Sequence, residues 1–228
     1  MKLRMRPILR LLLPAILLLT ATVGTARAAV EFDITAGLPL DDDDRIFLNV
    51  TNSYYAPQRA AAVSVIRRCP DPVDDYPAVL LLARASHRSP AAILDMRLGG
   101  LDWAEVMYRV HVSPSVLFVG MDRDPGPPYG KAWGTWKQNP RGRLEIKDRH
   151  FVELAKLRVS AGAFGVSPYA VVAERRNGTR YENYVAEHHR ERARGRGKGE
   201  GNPGRGHGHG HEHGNDREHG DDREHGHR

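Results

Sequence analysis

The stretch Ser89-Pro-Ala-Ala-Ile-Leu-Asp-Met-Arg-Leu-Gly-Gly-Leu-Asp-Trp103 decides the fold, because its pattern recurs 78 residues later at 167–181. The shared pattern is S-P-x-x-[IV]-[LV]-x-x-R-x-x-G-x-x-[WY], without gaps. A Ser can cap a helix, Pro suits the first helical position, and Gly ends a helix readily. Each copy therefore predicts a capped helix, a glycine stop and a second helix that a large aromatic side chain anchors. We expect two similar helical units packed face to face.

Helix signals of the same kind flank both copies. Asp102 and Glu105 form the pattern of a capping box, and Thr179-x-x-Glu182 repeats it. Asp148 is placed to begin a long helix that ends at Gly165, and Asp74 or Asp75 to begin one that runs to His87. The chain is therefore predicted to be mainly α.

Shifts in composition divide the chain into six segments. Val30–Leu38 alternates apolar and polar residues like a half-buried strand, and the four acids Asp41–Asp44 suit a solvated turn. The predicted segments are a signal peptide (1–28), an extended or short β segment (29–56), a first helical unit (57–124), a Pro/Gly/aromatic loop (125–147), a second helical unit (148–189) and a disordered tail (190–228).

The first segment has the three parts of a secretory signal. Met1–Arg10 is basic, Leu11–Ala21 is apolar, and Ala26-Arg27-Ala28 offers small residues to signal peptidase. The apolar run is too short to cross ~30 Å of hydrocarbon as a helix, and no later stretch is longer. We expect cleavage near Ala28 and an exported, periplasmic or secreted protein with no transmembrane segment in the mature chain.

The distribution of charge argues against nucleic acid as a partner. The net charge is +6, but residues 29–189 carry 20 basic and 20 acidic groups. Residues 100–116 resemble a helix-turn-helix, with His111 in place of the usual turn glycine. Because that signal has low specificity and the chain is predicted to be exported, we disfavour a DNA-reading role.

Neither the lone cysteine nor any motif indicates an enzyme. Cys69 cannot form an internal disulfide, and a small buried side chain is favoured over a reactive thiol or an intermolecular bridge. No H-E-x-x-H motif, nucleophile elbow or phosphate-binding loop is present in the sequence. We therefore predict a non-enzymatic protein.

An aromatic and lysine cluster in segment 125–147 is the best candidate for a partner-binding surface. It could form a stacking platform for sugars or single-stranded nucleic acid, with the lysines on anionic groups. For an exported protein, the expected partner is an envelope protein or polysaccharide. The alternative, which we favour, is that the rings cover the seam between the two helical units. The candidate residues are Tyr129, Lys131, Trp133, Trp136 and Lys137.

Four elements carry a resemblance to a group of small exported bacterial proteins without known activity. They are the run Pro77-Ala-Val-Leu-Leu-Leu-Ala-Arg-Ala, the element Arg97-x-x-Gly-x-x-Trp103, the run Pro127-Pro-Tyr-Gly-Lys-Ala-Trp-Gly134, and Val166-Ser-Pro168. The resemblance spans residues 45–186, and Pro-Pro-Tyr-Gly is its most specific part. It implies an exported helical domain and no particular activity.

The C-terminal tail is rich in histidine side chains that can bind metal ions. It lacks the apolar residues needed for a core and is predicted to be disordered. Neutral imidazole is a good ligand for Zn, Ni and Cu(II), and a glycine-rich backbone lets several imidazoles converge. We predict labile binding of divalent transition metals. The candidate ligands are His207, His209, His211, His213, His219, His225 and His227.

Overall fold

The computed structural model describes residues 33–199, with side chains from 33 to 195. Within that range the chain forms nine α-helices and one 3-10 turn, and it contains no strand. The prediction of a mainly α protein is confirmed. The helices are α1 (Asp42–Tyr55), α2 (Arg59–Ile66), α3 (Pro72–Ser86), α4 (Pro90–Leu98), α5 (Trp103–Arg109), α6 (Gly130–Gln138), α7 (Asp148–Phe164), α8 (Pro168–Arg176) and α9 (Tyr181–Gly199); the 3-10 turn is Pro114–Leu117.

Helices α3 and α7 form the centre of the described domain and pack against each other. Helix α4 packs on α3 and α8 on α7, while α1 contacts α3, α7 and α9. The side chains of residues 75–83 in α3 are all buried. The indole of Trp103 stacks on the ring of Phe151, with 5.9 Å between ring centroids. The core is therefore built where the two predicted units meet.

The helices of the second unit begin 78 residues after the matching helices of the first unit, the same separation as in the sequence pattern. Helix α4 covers residues 90–98 and α8 covers 168–176, while α5 begins at 103 and α9 at 181. The glycines that follow α4 and α8 adopt nearly the same left-handed backbone, with φ 95° at Gly100 and 94° at Gly178. Only glycine enters that region without steric cost, which explains its place in both copies. That the two helical units form an internal repeat and pack face to face stays a prediction.

The prediction for the N-terminal segment is wrong where the structure describes it. Residues 34–38 form turns rather than a strand, because the Asp33 carboxylate accepts hydrogen bonds from the backbone N–H and hydroxyl of Thr35. Most of the rest of the predicted extended segment is α1. Asp41 is the N-cap of α1, and the next three acids lie in its first turn, where carboxylates are stabilised by the helix dipole. The acidic run is thus a helix start, which we interpreted as a turn.

The predicted loop at 125–147 is also wrong in its centre, because residues 130–138 form α6. Tyr129, Trp133 and Trp136 are spaced by four and three residues, which places them on one side of a helix. Trp136 stacks on Phe118 at 4.9 Å between centroids. The intervening Gly and Lys residues hid this periodicity, and tertiary packing overrides the low helix propensity of glycine.

Two helix starts and one short helix differ from their predicted form. Asp71, not Asp74 or Asp75, caps α3, so this helix begins at Pro72. Lys147 occupies the N-cap of α7, and the Asp148 carboxylate instead accepts the backbone N–H of Trp103 at 2.8 Å. The segment after His111 is a single 3-10 turn, which is too short to serve as the recognition helix of a helix-turn-helix.

The tail begins later than predicted. Helix α9 continues through 190 to Gly199, so the helical domain extends ten residues beyond the expected boundary. The predicted signal peptide and the histidine-rich part of the tail lie outside the described residues. Among the residues that are described, no helix is long and apolar enough to cross a membrane.

The two predicted capping boxes give a matched pair of variants. The Asp102 box forms fully: its carboxylate accepts the N–H of Glu105, whose carboxylate accepts the N–H of Asp102. Thr179 instead donates a long 3.4 Å hydrogen bond to Glu174. We expect Asp102→Ala to lower the free energy of unfolding by about 1 kcal/mol and Thr179→Ala to lower it by less than half as much, measured by urea denaturation. Equal losses would contradict the assignment.

Candidate functional site

A group of charged side chains with a buried centre lies where α1, α3, α7 and α9 meet, and we call it the ionic cleft. At its centre the Lys156 ammonium contacts the carboxylates of Asp74 and Glu182, the latter at 2.8 Å. Arg180 extends the group, with 3.0 Å to Asp44 and 3.2 Å to Glu182. The side chains of Lys156 and Glu182 are only 8% and 4% exposed, so this pair is shielded from water.

Each charge reaches the ionic cleft from a different part of the chain. Asp44 and Asp74 lie in the first turns of α1 and α3, and Glu182 lies in the first turn of α9. Lys156 stands in the middle of α7, among buried apolar residues. Lys156 thereby joins α7 to α3 and α9, and the pair of Arg180 with Asp44 spans 136 residues of sequence.

The pKa shifts of Lys156 and Glu182 indicate that both groups of this ion pair stay ionised. Burial alone would lower the pKa of Lys156, but its attraction to Glu182 and its hydrogen bonds to Asp74 and Glu182 leave that pKa raised. Burial likewise opposes the charge on Glu182, yet Lys156 and Arg180 hold its pKa below the usual range. The ionised Glu182 thus stabilises the fold above the usual carboxyl pKa, and this contribution is lost as the pH falls.

A second branch of the ionic cleft contains a carboxylate, a guanidinium and two phenols. Glu153 accepts hydrogen bonds from Arg175 at 3.3 Å and from the hydroxyl of Tyr129 at 3.2 Å. The hydroxyls of Tyr129 and Tyr181 contact each other, and burial raises the pKa of both phenols. The Arg175 guanidinium lies 5.5 Å from the Tyr181 ring centroid.

The first unit contains a similar arginine and aromatic pair. The Arg97 guanidinium lies 5.1 Å from the centroid of the Trp103 ring and pairs with Asp148 at 2.7 Å. Arg97 and Arg175 stand at equivalent positions of the sequence pattern, as do Trp103 and Tyr181. The pattern therefore preserves a cation over an aromatic ring, a contact that stabilises the start of α5 and of α9.

The two central groups of the ionic cleft, Lys156 and Glu182, have the properties of a structural ion pair. A nucleophilic or general-base lysine needs a lowered pKa, whereas the pKa of Lys156 is raised. A general acid near neutral pH needs a raised carboxyl pKa, whereas the pKa of Glu182 is lowered. Lys156 and Glu182 therefore keep fixed charges, and the directions of their pKa shifts oppose proton transfer.

Sequence reasoning missed the ionic cleft because its partners are distant in sequence. One signal was available: Lys156 lies on the same helix face as Val152 and Val159, which are apolar and buried. A lysine on a buried face requires an acidic partner. The pattern predicted instead that Glu182 would close a capping box.

The predicted partner-binding residues separate into buried and accessible members. Tyr129 is 1% exposed and belongs to the core, and Trp136 is held against Phe118. Trp133 is half-buried, with the ammonium of Lys137 at 5.9 Å from its ring centroid. Lys131 and Lys137 are exposed.

The predicted metal ligands, from His207 to His227, lie outside the described residues. Within residues 33–199, no group of three or more His, Cys, Asp or Glu side chains has the arrangement to hold a metal ion. Cys69 is buried, and burial raises its thiol pKa to about 12. This environment favours the interpretation of Cys69 as an inert packing residue.

No family model, curated protein or solved structure matches this chain.

Removal of the buried cation should be far more costly than removal of a surface cation. Lys156→Met leaves Glu182 buried with Arg180 as its remaining partner, and we expect a loss of about 3–5 kcal/mol in the free energy of unfolding. The double variant Lys156→Met with Glu182→Leu should recover much of that loss, because no buried charge is then left without its partner.

The matched control for Lys156→Met is Arg68→Met. It breaks the exposed ion pair with Asp95, whose side chain is 59% exposed, and should cost less than about 1 kcal/mol. Urea denaturation of all four proteins measures the differences. If Lys156→Met and Arg68→Met lowered the free energy of unfolding equally, a structural role for the buried ion pair would be contradicted.

Proposed function

We propose that this protein is an exported helical carrier whose C-terminal tail binds divalent transition metal ions such as Zn, Ni or Cu. The observation that carries the proposal is the density of imidazoles, seven within residues 207–227. Four of them, from His207 to His213, occupy alternate positions separated by Gly or Glu. Imidazole nitrogen is a common ligand for these ions, and the glycines impose little steric cost on convergence.

The contacts of α9 with α1 and α7 support the proposal that the domain is a folded anchor for the tail. Arg190 pairs with Asp43 in the first turn of α1, and Arg192 donates a hydrogen bond to the carbonyl of Phe164 at the end of α7. Helix α9 ends at Gly199, eight residues before His207 in the sequence. The domain thereby serves as a folded anchor for the metal-binding segment.

The test replaces all seven tail imidazoles by Gln in the otherwise intact mature chain. We expect Ni and Zn to bind the unsubstituted protein with micromolar or tighter affinity, and this binding to be lost in the variant, as measured by isothermal titration calorimetry. Binding should weaken below about pH 6.5, because protonated imidazole is not a ligand.

The control variant replaces three imidazoles of the domain, His87, His111 and His150, by Gln. It should bind metal as the unsubstituted protein does. If the tail variant kept its affinity while the domain variant lost it, the ligands would lie in the domain and the proposal would be wrong.

A second candidate function is binding of an envelope polysaccharide at α6. It is favoured by the half-buried Trp133 ring, which lies 5.9 Å from the ammonium of Lys137, and by the exposure of Lys131 and Lys137 on the same helix. Rings of this kind stack on sugars, while lysines pair with anionic substituents.

We expect an anionic polysaccharide such as alginate to shift the tryptophan fluorescence, and Trp133→Ala to abolish that shift. Trp103→Phe removes the fully buried indole and should keep the shift. Fluorescence that does not respond to alginate, or a shift that Trp133→Ala leaves unchanged, would contradict this second function.

A further inference from the structure

The turn between α8 and α9 contains Asn177-Gly178, the one Asn-Gly pair in the sequence. Asparagine is a chemically labile residue, because the backbone nitrogen of the next residue can attack its side-chain amide. A following glycine has no side chain to hinder that attack. Asn177 is the C-cap of α8 and is exposed, and Gly178 follows with a φ of 94°. The labile pair therefore stands at a helix end that water reaches.

The side chain of Asn177 is not held by the fold. Among the described residues its amide group has no hydrogen-bond partner, and the residue donates hydrogen bonds only through its backbone N–H. Apart from its chain neighbours, Gly178 has no atom within 4 Å of the place where a Cβ would stand. The turn therefore has space for the five-membered ring that the attack forms.

The other asparagines in the described part of the chain are protected. Asn139 precedes Pro140, whose nitrogen carries no hydrogen to lose. The remaining three lie inside helices, where the hydrogen-bond ladder keeps the backbone rigid and the next N–H engaged. These three are Asn49, Asn52 and Asn183. Within residues 33–199, only Asn177 combines an exposed amide, a helix end and a following glycine.

The reaction at this pair needs only water. The backbone nitrogen of Gly178 loses its proton and bonds to Cγ of Asn177, while the Cγ–Nδ2 bond breaks and the amide group takes up the proton to leave as ammonia. Water then opens the resulting succinimide ring. Cleavage of the new Cγ–N bond gives aspartate. Cleavage of the original backbone C–N bond gives isoaspartate, in which the chain continues through the side chain.

Ring closure requires the turn to open locally. Asn177 has ψ 2°, so its Cα–C bond must rotate before the Gly178 nitrogen can approach Cγ. Two hydrogen bonds hold this turn, from Gly178 to the Arg175 carbonyl at 3.2 Å and from Thr179 to the Glu174 carbonyl at 3.1 Å. Hydrogen bonds at an exposed helix end break without unfolding of the domain.

We propose that Asn177-Gly178 is a deamidation site in the folded protein, and that isoaspartate at this site loosens the start of α9. Before the turn, Arg175 donates hydrogen bonds to Glu153. After the turn, Glu182 pairs with Lys156. Isoaspartate adds a methylene group to the backbone between these two contacts, so α9 must shift relative to α7. The site is independent of the metal-binding tail.

The test incubates the full mature chain at mildly alkaline pH, with and without urea, and follows its proteolytic peptides by mass spectrometry. We expect a gain of one mass unit at Asn177 in the native sample and none at Asn183. The gain should be faster at higher pH, because the attacking nitrogen must lose its proton. The matched variant Asn177→Gln should show no gain, since its ring would have six members and forms far more slowly. Complete protection of Asn177 in the native sample, while the urea sample reacts, would overturn the proposal.

A second measurement tests the effect on α9. Chromatography separates the isoaspartate form, and urea denaturation compares it with the unmodified protein and with Asn177→Asp. We expect the isoaspartate form to unfold at a lower urea concentration than Asn177→Asp, because the two have the same charge and only isoaspartate lengthens the backbone. Equal midpoints for these two forms would overturn the proposed loosening of α9.

Discussion

The buried Lys156 ammonium is the interaction on which the rest of the domain depends. It stands in α7, the central helix, and holds carboxylates from α3 and α9. A buried ammonium without acidic partners would be strongly destabilising, so α3 and α9 must dock in one register for the charge to be satisfied. The same requirement fixes where α9 leaves the domain. Apolar contacts supply stability, while this charge specifies the arrangement.

Local signals in the sequence predicted most of the helices. Ser89 and Ser167 mark helix starts because their hydroxyls accept backbone N–H groups, and Gly100 and Gly178 mark stops because they adopt positive φ. Such features depend on a few neighbouring residues. The errors arose where tertiary contacts decide: α6 owes its helix to the packing of Trp136 on Phe118, and the Glu182 carboxylate is used by Lys156 rather than by a cap.

The candidate sites differ in how well each can be recognised from the sequence alone. The His-rich tail is evident because ligand type and spacing are written in consecutive residues. The ionic cleft is assembled from segments far apart, so only the fold brings its residues together. Each of the three cations in the ionic cleft, Lys156, Arg175 and Arg180, has an acidic partner. This pairing supports a structural role for the ionic cleft.

The central claim is that a folded domain and a metal-binding tail are separate parts of one chain. Nuclear magnetic resonance of the mature protein, labelled with ¹⁵N and titrated with Zn, tests it most directly. We expect the amide signals of His207–His227 to move or broaden, while those of Glu182 and Lys156 stay unchanged. Shifts concentrated at His87, His111 or His150, with the tail signals unmoved, would contradict the claim.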